Sequence, residues 1–161
     1  MFREDIKEME AVFLLASAQG YASFVPQKRF ETATGAKLIE FRHGRFTVID
    51  RYWVGLNNFS TGATLMFYES VAIWTMAYFG CYSKEVTPTL KAALRANYWQ
   101  NVFYGGRGPK VFHYENLIYH NNADSTAQGF TNFRGIETIR VRGQVAASGW
   151  HRYHGGLLGK L

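Results

Sequence analysis

The sequence predicts an α+β fold built from two α-β-β-β repeats with pseudo-two-fold symmetry, forming a curved antiparallel sheet with the helices packed on one face. Three observations carry this prediction. First, a run of landmarks occurs twice in the same order. Glu40-Phe41-Arg42-His43-Gly44 opens one segment, and Val111-Phe112-His113-Tyr114-Glu115 opens the other. Each passes through an Asn-bearing stretch to a Phe and a Gly, Phe59 to Gly62 and Phe133 to Gly135. Each ends on an aromatic signature, Trp74-Thr75-Met76-Ala77-Tyr78-Phe79-Gly80 against Gly149-Trp150-His151-Arg152-Tyr153-His154-Gly155. Second, each segment follows a stretch whose apolar residues recur at helical spacing. Third, 161 residues with 47% hydrophobic and 19% charged content make one core-forming domain. That domain is residues 1–161, with repeats over about 1–80 and 81–157.

Taken in order, residues 3–19 read as a helix, because Phe2, Ile6, Met9, Phe13 and Ala16 share a face. Glu4 and Asp5 suit its positive end, and Gly20 reads as a left-handed stop. Residues 21–35, with Ser23, Pro26, Thr32 and Gly35, read as a loop. Strands follow at 36–42 and 45–54 around the His43-Gly44 turn, then at 63–68 and 71–79 around Glu69-Ser70. A second helix at 88–101 is capped by Thr87, with Pro88 in its first turn and Leu90, Ala93, Leu94 and Asn97/Tyr98 as its face. Strands recur at 111–119, 130–141 and 144–154, so the pattern reads as helix plus three strands, twice. With Glu69-Ser70 as a two-residue turn, Leu65, Phe67, Trp74, Met76 and Tyr78 share one face and Met66, Tyr68, Ile73 and Ala77 the other. Both faces are apolar. This hairpin is therefore central, or its second face meets a partner or ligand.

Composition excludes several functional classes. The net charge is +6, but the basic residues are scattered and no run of them resembles a nucleic-acid tail, so no specific nucleic acid is expected as partner. No apolar segment approaches a membrane span, and the first residues lack the uncharged core of a signal peptide. A lone cysteine, Cys81, fits a reducing cytoplasm and rules out a thiolate zinc site. His151 and His154 stand three apart, on opposite faces of a strand, which is poor for shared ligation; no metal or cofactor is expected.

The remaining motifs bear on a site. Gly105-Gly106-Arg107-Gly108-Pro109 lies between a helix and a strand, whereas phosphate loops lead into a helix, so it reads as a connector. Glu137 is in phase with Ile139 and Val141, which aims its carboxylate at the core. There it needs a partner, and Arg152 or His154 on the neighbouring strand is expected to supply one. A salt bridge at the sheet edge is the competing expectation. Aromatic content of 17% suits a pocket lined by rings with polar tips.

Tyr52-Trp53-Val54-Gly55, Phe59 to Gly62, Trp74 to Gly80, Arg107-Gly108-Pro109, Phe133 to Glu137 and Tyr153-His154-Gly155-Gly156 together resemble a bacterial family known as domain of unknown function 5680. The resemblance covers about residues 10–157. Members look like stand-alone proteins or like domains fused behind a helix-turn-helix, which implies a sensing or regulatory role by analogy. The family's first repeat usually carries Gly-x-Glu, where this chain has Gly62-Ala63-Thr64. No activity or catalytic residue comes with the resemblance.

The expected function is a small-molecule-binding or sensor-type domain. Its ligand would contact Tyr52, Trp74, Tyr78, Glu137, Trp150, Tyr153 and His154, in a cavity between helix and sheet. One alternative is a small enzyme using Glu137 with a nearby His or Tyr as acid/base pair. Another is a homodimeric interaction module.

Overall fold

The computed structural model describes residues 3–23, 30–124, 126 and 129–159. The roles expected of Phe2, of the Glu4 side chain and of Pro26 fall outside the described part. The elements run α1 (Arg3–Gln19), β1 (Phe30–Glu31), β2 (Lys37–His43), β3 (Phe46–Val54), β4 (Phe59–Tyr68), β5 (Val71–Tyr82), α2 (Thr87–Trp99), β6 (Val111–Tyr114), β7 (Leu117–Ala123), β8 (Asn132–Val141) and β9 (Gly149–Leu157). All strands belong to one nine-stranded sheet in the order β1-β2-β3-β4-β5-β9-β8-β7-β6, and every pairing is antiparallel. The fold class is α+β, as the sequence predicts.

The strand count differs from expectation. Among the described residues α1 is followed by five strands, of which β1 has only two residues, and α2 by four; the extra strand of the second half arises because the stretch 111–119 folds back on itself. Tyr114 pairs with Leu117, and Glu115 takes a left-handed conformation (φ 53°) in the two-residue turn between them. No glycine marks that turn, so nothing local signals a break there. The strand expected at 63–68 begins earlier, at Phe59, after Asn57 and Asn58 reverse the chain with φ of 55° and 63°. The last strand begins at Gly149 instead of 144, beyond a looser connection through Gly143.

Three local expectations are corrected by close contacts. Gly20 is not left-handed; a Cβ there would press on the Ala16 carbonyl oxygen at 2.9 Å. Thr87 does not cap α2. It is the helix's first residue, and its hydroxyl donates to the Ser83 carbonyl at 2.9 Å. The face assignment of the β4–β5 hairpin is shifted by an irregularity between Met66 and Phe67. Met66, not Leu65, stands opposite Trp74. Met66, Trp74, Met76 and Tyr78 therefore share the inner face, and Leu65, Phe67 and Ile73 are only half-buried.

Both helices pack on that inner face. α1 buries Met9, Val12, Phe13 and Ala16, and α2 buries Leu90, Ala93, Leu94 and Tyr98. At the centre, Trp74 stacks on Phe130 (ring centroids 4.7 Å apart) and contacts Phe13 and Phe133, while its indole N–H donates to the Phe130 carbonyl at 2.8 Å. Trp74 is fully enclosed, so replacing it with Ala costs about 3–5 kcal/mol. β5 is the middle strand of the sheet, but that position does not cover its second face, where Val71 and Phe79 are exposed.

Candidate functional site

Inward-facing positions of β3, β4, β5 and β9 converge beside α2. Strand parity puts Asp50 and Tyr52 on β3, Ser60 and Thr64 on β4, Tyr78 and Tyr82 on β5, and His151 on β9 on this side of the sheet. All of them except Thr64 wall a cleft of about 250 Å³, closed on the other side by Thr87, Leu90 and Lys91 from α2 and by Lys84 just before it. Lys37 and Tyr21 complete the rim, and Arg107 forms part of the floor. A smaller void of about 40 Å³ shares Asp50, Tyr78 and Arg107 and reaches in toward α1 at Ala16 and Gly20.

Arg107 arrives on the loop Gly105-Gly106-Arg107-Gly108-Pro109. Asn97 of α2 donates to the Arg107 carbonyl at 3.3 Å, and Asn121 of β7 donates to the carbonyls of Gly105 and Gly108 at 2.7 and 2.9 Å. Two glycines are needed for this approach. A Cβ at Gly106 would enter the Tyr153 ring and one at Gly108 would meet the Tyr119 hydroxyl. The loop is a connector, as expected, but it also delivers the guanidinium that answers Glu137.

Glu137 is 0% exposed. Its Oε2 accepts from Arg107 Nη2 at 2.8 Å and from the Tyr82 hydroxyl at 3.2 Å, and its Oε1 accepts from the Tyr119 hydroxyl at 2.8 Å. Burial works against the charge on Arg107, but the Glu137 carboxylate beside it more than offsets this and holds the guanidinium firmly protonated. Burial, and then the same carboxylate, push the Tyr82 and Tyr119 phenols well up, so both remain donors. The expectation of a buried carboxylate is met, and the sheet-edge salt bridge is not formed. The expected partners are corrected. Arg152 and His154 are exposed on the opposite face, because the residue of β9 in register with Glu137 is His151.

His151 is 4% exposed and lies between Arg107 and Ser60. Arg107 Nη2 donates to its Nδ1 at 3.3 Å, and its Nε2 is 2.9 Å from Ser60 Oγ. Burial first, and then the Arg107 charge, push the imidazole down to about 2, so it is neutral. A guanidinium has no acceptor, so Nδ1 carries the lone pair and Nε2 the proton. The imidazole therefore donates to Ser60 Oγ and leaves the serine proton free to point elsewhere. This reverses what nucleophile activation requires: the base faces an arginine where a triad places a carboxylate.

Asp50 provides the acidic side of the cleft. Its Oδ1 accepts from the Tyr78 hydroxyl at 2.7 Å and from the Thr64 hydroxyl at 3.1 Å. Burial, and then the Asp50 charge, push the Tyr78 phenol well up.

The seven residues expected to form a site do not meet in one place. Tyr52 and Tyr78 line the cleft, and Glu137 stands one contact behind it through Arg107 and Tyr82. Tyr153 is buried on the same face but beyond the β5–β9 seam, donating to Asn121 Oδ1 at 2.6 Å and to the Gly105 carbonyl at 3.1 Å. Trp74 is core. Trp150 packs edge-on against Phe59 and Phe79 on the far face, where His154 borders a broad open depression with Arg134 and Arg152. Sequence reasoning missed Arg107, Asp50, Ser60 and the lysines. The one available signal was Asn97, an amide set in an otherwise apolar helix face.

The protein-family model described as Domain of unknown function (DUF5680) matches residues 50–158. That span holds Asp50, Ser60, Tyr78, Arg107, Glu137 and His151. No curated protein and no solved structure gives a match.

Proposed function

The chain belongs to the DUF5680 family, and from that premise we propose that it is a small-molecule-binding domain whose ligand occupies the cleft between α2 and the sheet. The observation that carries this reading is the cleft itself: about 250 Å³ walled by Tyr52, Tyr78 and Tyr82, with polar atoms of Ser60, Asp50 and lysines at its edge. Apolar walls with a few converging polar groups are what a metabolite site needs. Acid/base catalysis through Glu137 is less well supported. Three donors occupy its oxygens and no water reaches it, while His151 is too weak a base to take a proton near neutrality.

The test is ligand-induced stabilisation of the full chain, with candidates drawn from native mass spectrometry of gently purified protein. A ligand at one hundred times its Kd should add about 2.7 kcal/mol. Ser60→Trp, which fills the cleft from a half-exposed position, should remove that gain. Equal stabilisation of Ser60→Trp by the same ligands would overturn the reading.

We further read the chain as an internal duplication. Support comes from Tyr78 and Tyr153, which stand directly opposite each other across the β5–β9 seam. Gly62 pairs with Tyr78 and Gly135 with Tyr153. The alternative of a homodimeric module is supported by the far face, where Leu65, Phe67 and Phe79 carry no helix among the described residues. Analytical ultracentrifugation separates it: a dimer favours the alternative and a monomer removes it.

A further inference from the structure

We propose that the ligand enters the cleft as an oxyanion, a phosphate or a carboxylate, met by Lys37, Lys84, Lys91 and the Ser60 hydroxyl with Arg107 behind them. This rests on the reading of the cleft as a ligand site and names the chemical class of what fills it.

Charge is the first argument. The four cations come from β2, from the β5–α2 connection, from α2 and from the glycine loop, yet all line one cleft. Asp50 is the single carboxylate among the lining residues, and its Oδ1 already accepts from Tyr78 and Thr64. No carboxylate among the described residues is in ion-pair contact with Lys37 or Lys84. Arg107 is balanced by Glu137, but the three lysines set against Asp50 leave the lining with an excess of positive charge, which costs free energy in the empty protein and which an anion relieves.

Pre-organisation is the second. Arg107 is nine-tenths buried, its orientation is fixed by Glu137 and His151 through Nη2, and its Nε has no partner among the described residues. Because the imidazole donates to Ser60, the serine proton is available to an acceptor in the cleft. α2 starts in the same wall with no side-chain cap, so its positive end adds to the field. A cationic ligand would face all of these with Asp50 alone in its favour.

The experiment titrates inorganic phosphate and citrate, at matched ionic strength, into the isotope-labelled full chain, following the amide signals of Ser60 and His151. Both probes should shift these signals saturably. The Lys37→Gln/Lys84→Gln double variant should bind about tenfold more weakly or worse, since it removes two of the cations that meet the oxyanion. Phosphate binding more tightly than citrate would assign a phosphate group to the ligand, and the reverse a carboxylate; either supports the proposal. Shifts that are identical in the double variant, or absent from Ser60 and His151, would overturn it. If a neutral probe still shifts Ser60 and His151 while the oxyanions do not, the oxyanion inference fails and the cleft reading stands. If no probe of any charge shifts them, both fail.

Discussion

The two sides of the β5–β9 seam use similar parts to opposite ends. On one side, β3 and β4 place Asp50 opposite Thr64, and the Tyr78 hydroxyl donates to the acid. On the other, β7 and β8 place Asn121 opposite Glu137, and the Tyr153 hydroxyl donates to the amide. The carboxylate stands on β3 on one side and on β8 on the other. Its environment differs too: the glycine loop fills the second side, pressing Gly106 on Tyr153 and Arg107 on Glu137, whereas the first side opens into the cleft. A buried carboxylate needs a full set of donors, and the loop brings the cation that completes it. A carboxylate beside a cleft can keep part of its surface for something that comes and goes. The difference teaches that near-equivalent positions can be divided between holding a fold together and leaving a space.

Mutations test that division, and the largest effect is expected on the filled side. Glu137→Gln strands the buried Arg107 charge and should destabilise the fold by about 3–5 kcal/mol. For a chain of this size that is a fall in Tm of about 10 °C, measurable by calorimetry. A fall of a degree or two would break the comparison.

The pH dependence comes next and sits on the seam itself. The folded His151 titrates near 2 and an unfolded one near 6.5. Below 6.5 the unfolded chain takes up a proton that the folded one refuses, so stability is lost as pH falls. The slope from this group approaches about 1.4 kcal/mol per pH unit. Urea midpoints measured from pH 7 to 5 should fall more steeply in the wild type than in His151→Gln, and parallel curves would refute the burial of a neutral imidazole.

Tyr153→Phe should cost about 1–2 kcal/mol, because Asn121 and Gly105 lose a buried donor. It should leave any ligand affinity unchanged, since Tyr153 is not in the cleft. Tyr78→Phe should show the converse, with a stability loss near 0.5–1 kcal/mol and a clear loss of ligand affinity. Thermal shift with and without ligand, run on both variants, sharpens the contrast or dissolves it.

Much of this was readable from strand parity. Glu137 is buried because it is in phase with Ile139 and Val141, and the faces of His151 and His154 follow from their odd spacing. The same parity, carried across to β9, excludes Arg152 and His154 as partners of Glu137, yet it needs a register that only the folded pairing provides. The face error in the β4–β5 hairpin has a similar origin: one irregularity at Met66/Phe67 shifts every partner beyond it. Arg107 was hidden for another reason. Nothing local tells a glycine-rich connector that two distant amides, Asn97 and Asn121, will hold it over a carboxylate. The cleft lysines come from separate elements and look scattered until those elements meet.

The position of the last strand has a consequence for how the protein is made. β9 is inserted beside β5, in the middle of the sheet, so the outermost pairings are local and the central one is the last to become available during synthesis. Until Gly149–Leu157 leaves the ribosome, β5 presents an open hydrogen-bonding edge with apolar residues on both faces, the kind of edge that recruits other nascent chains. His151 arrives on that same strand and meets Ser60, ninety-one positions earlier, only then. A stalled or clipped product lacking this strand would therefore be a hazard to its neighbours as well as an incomplete site, which gives a chaperone that shields sheet edges a natural client in the growing chain.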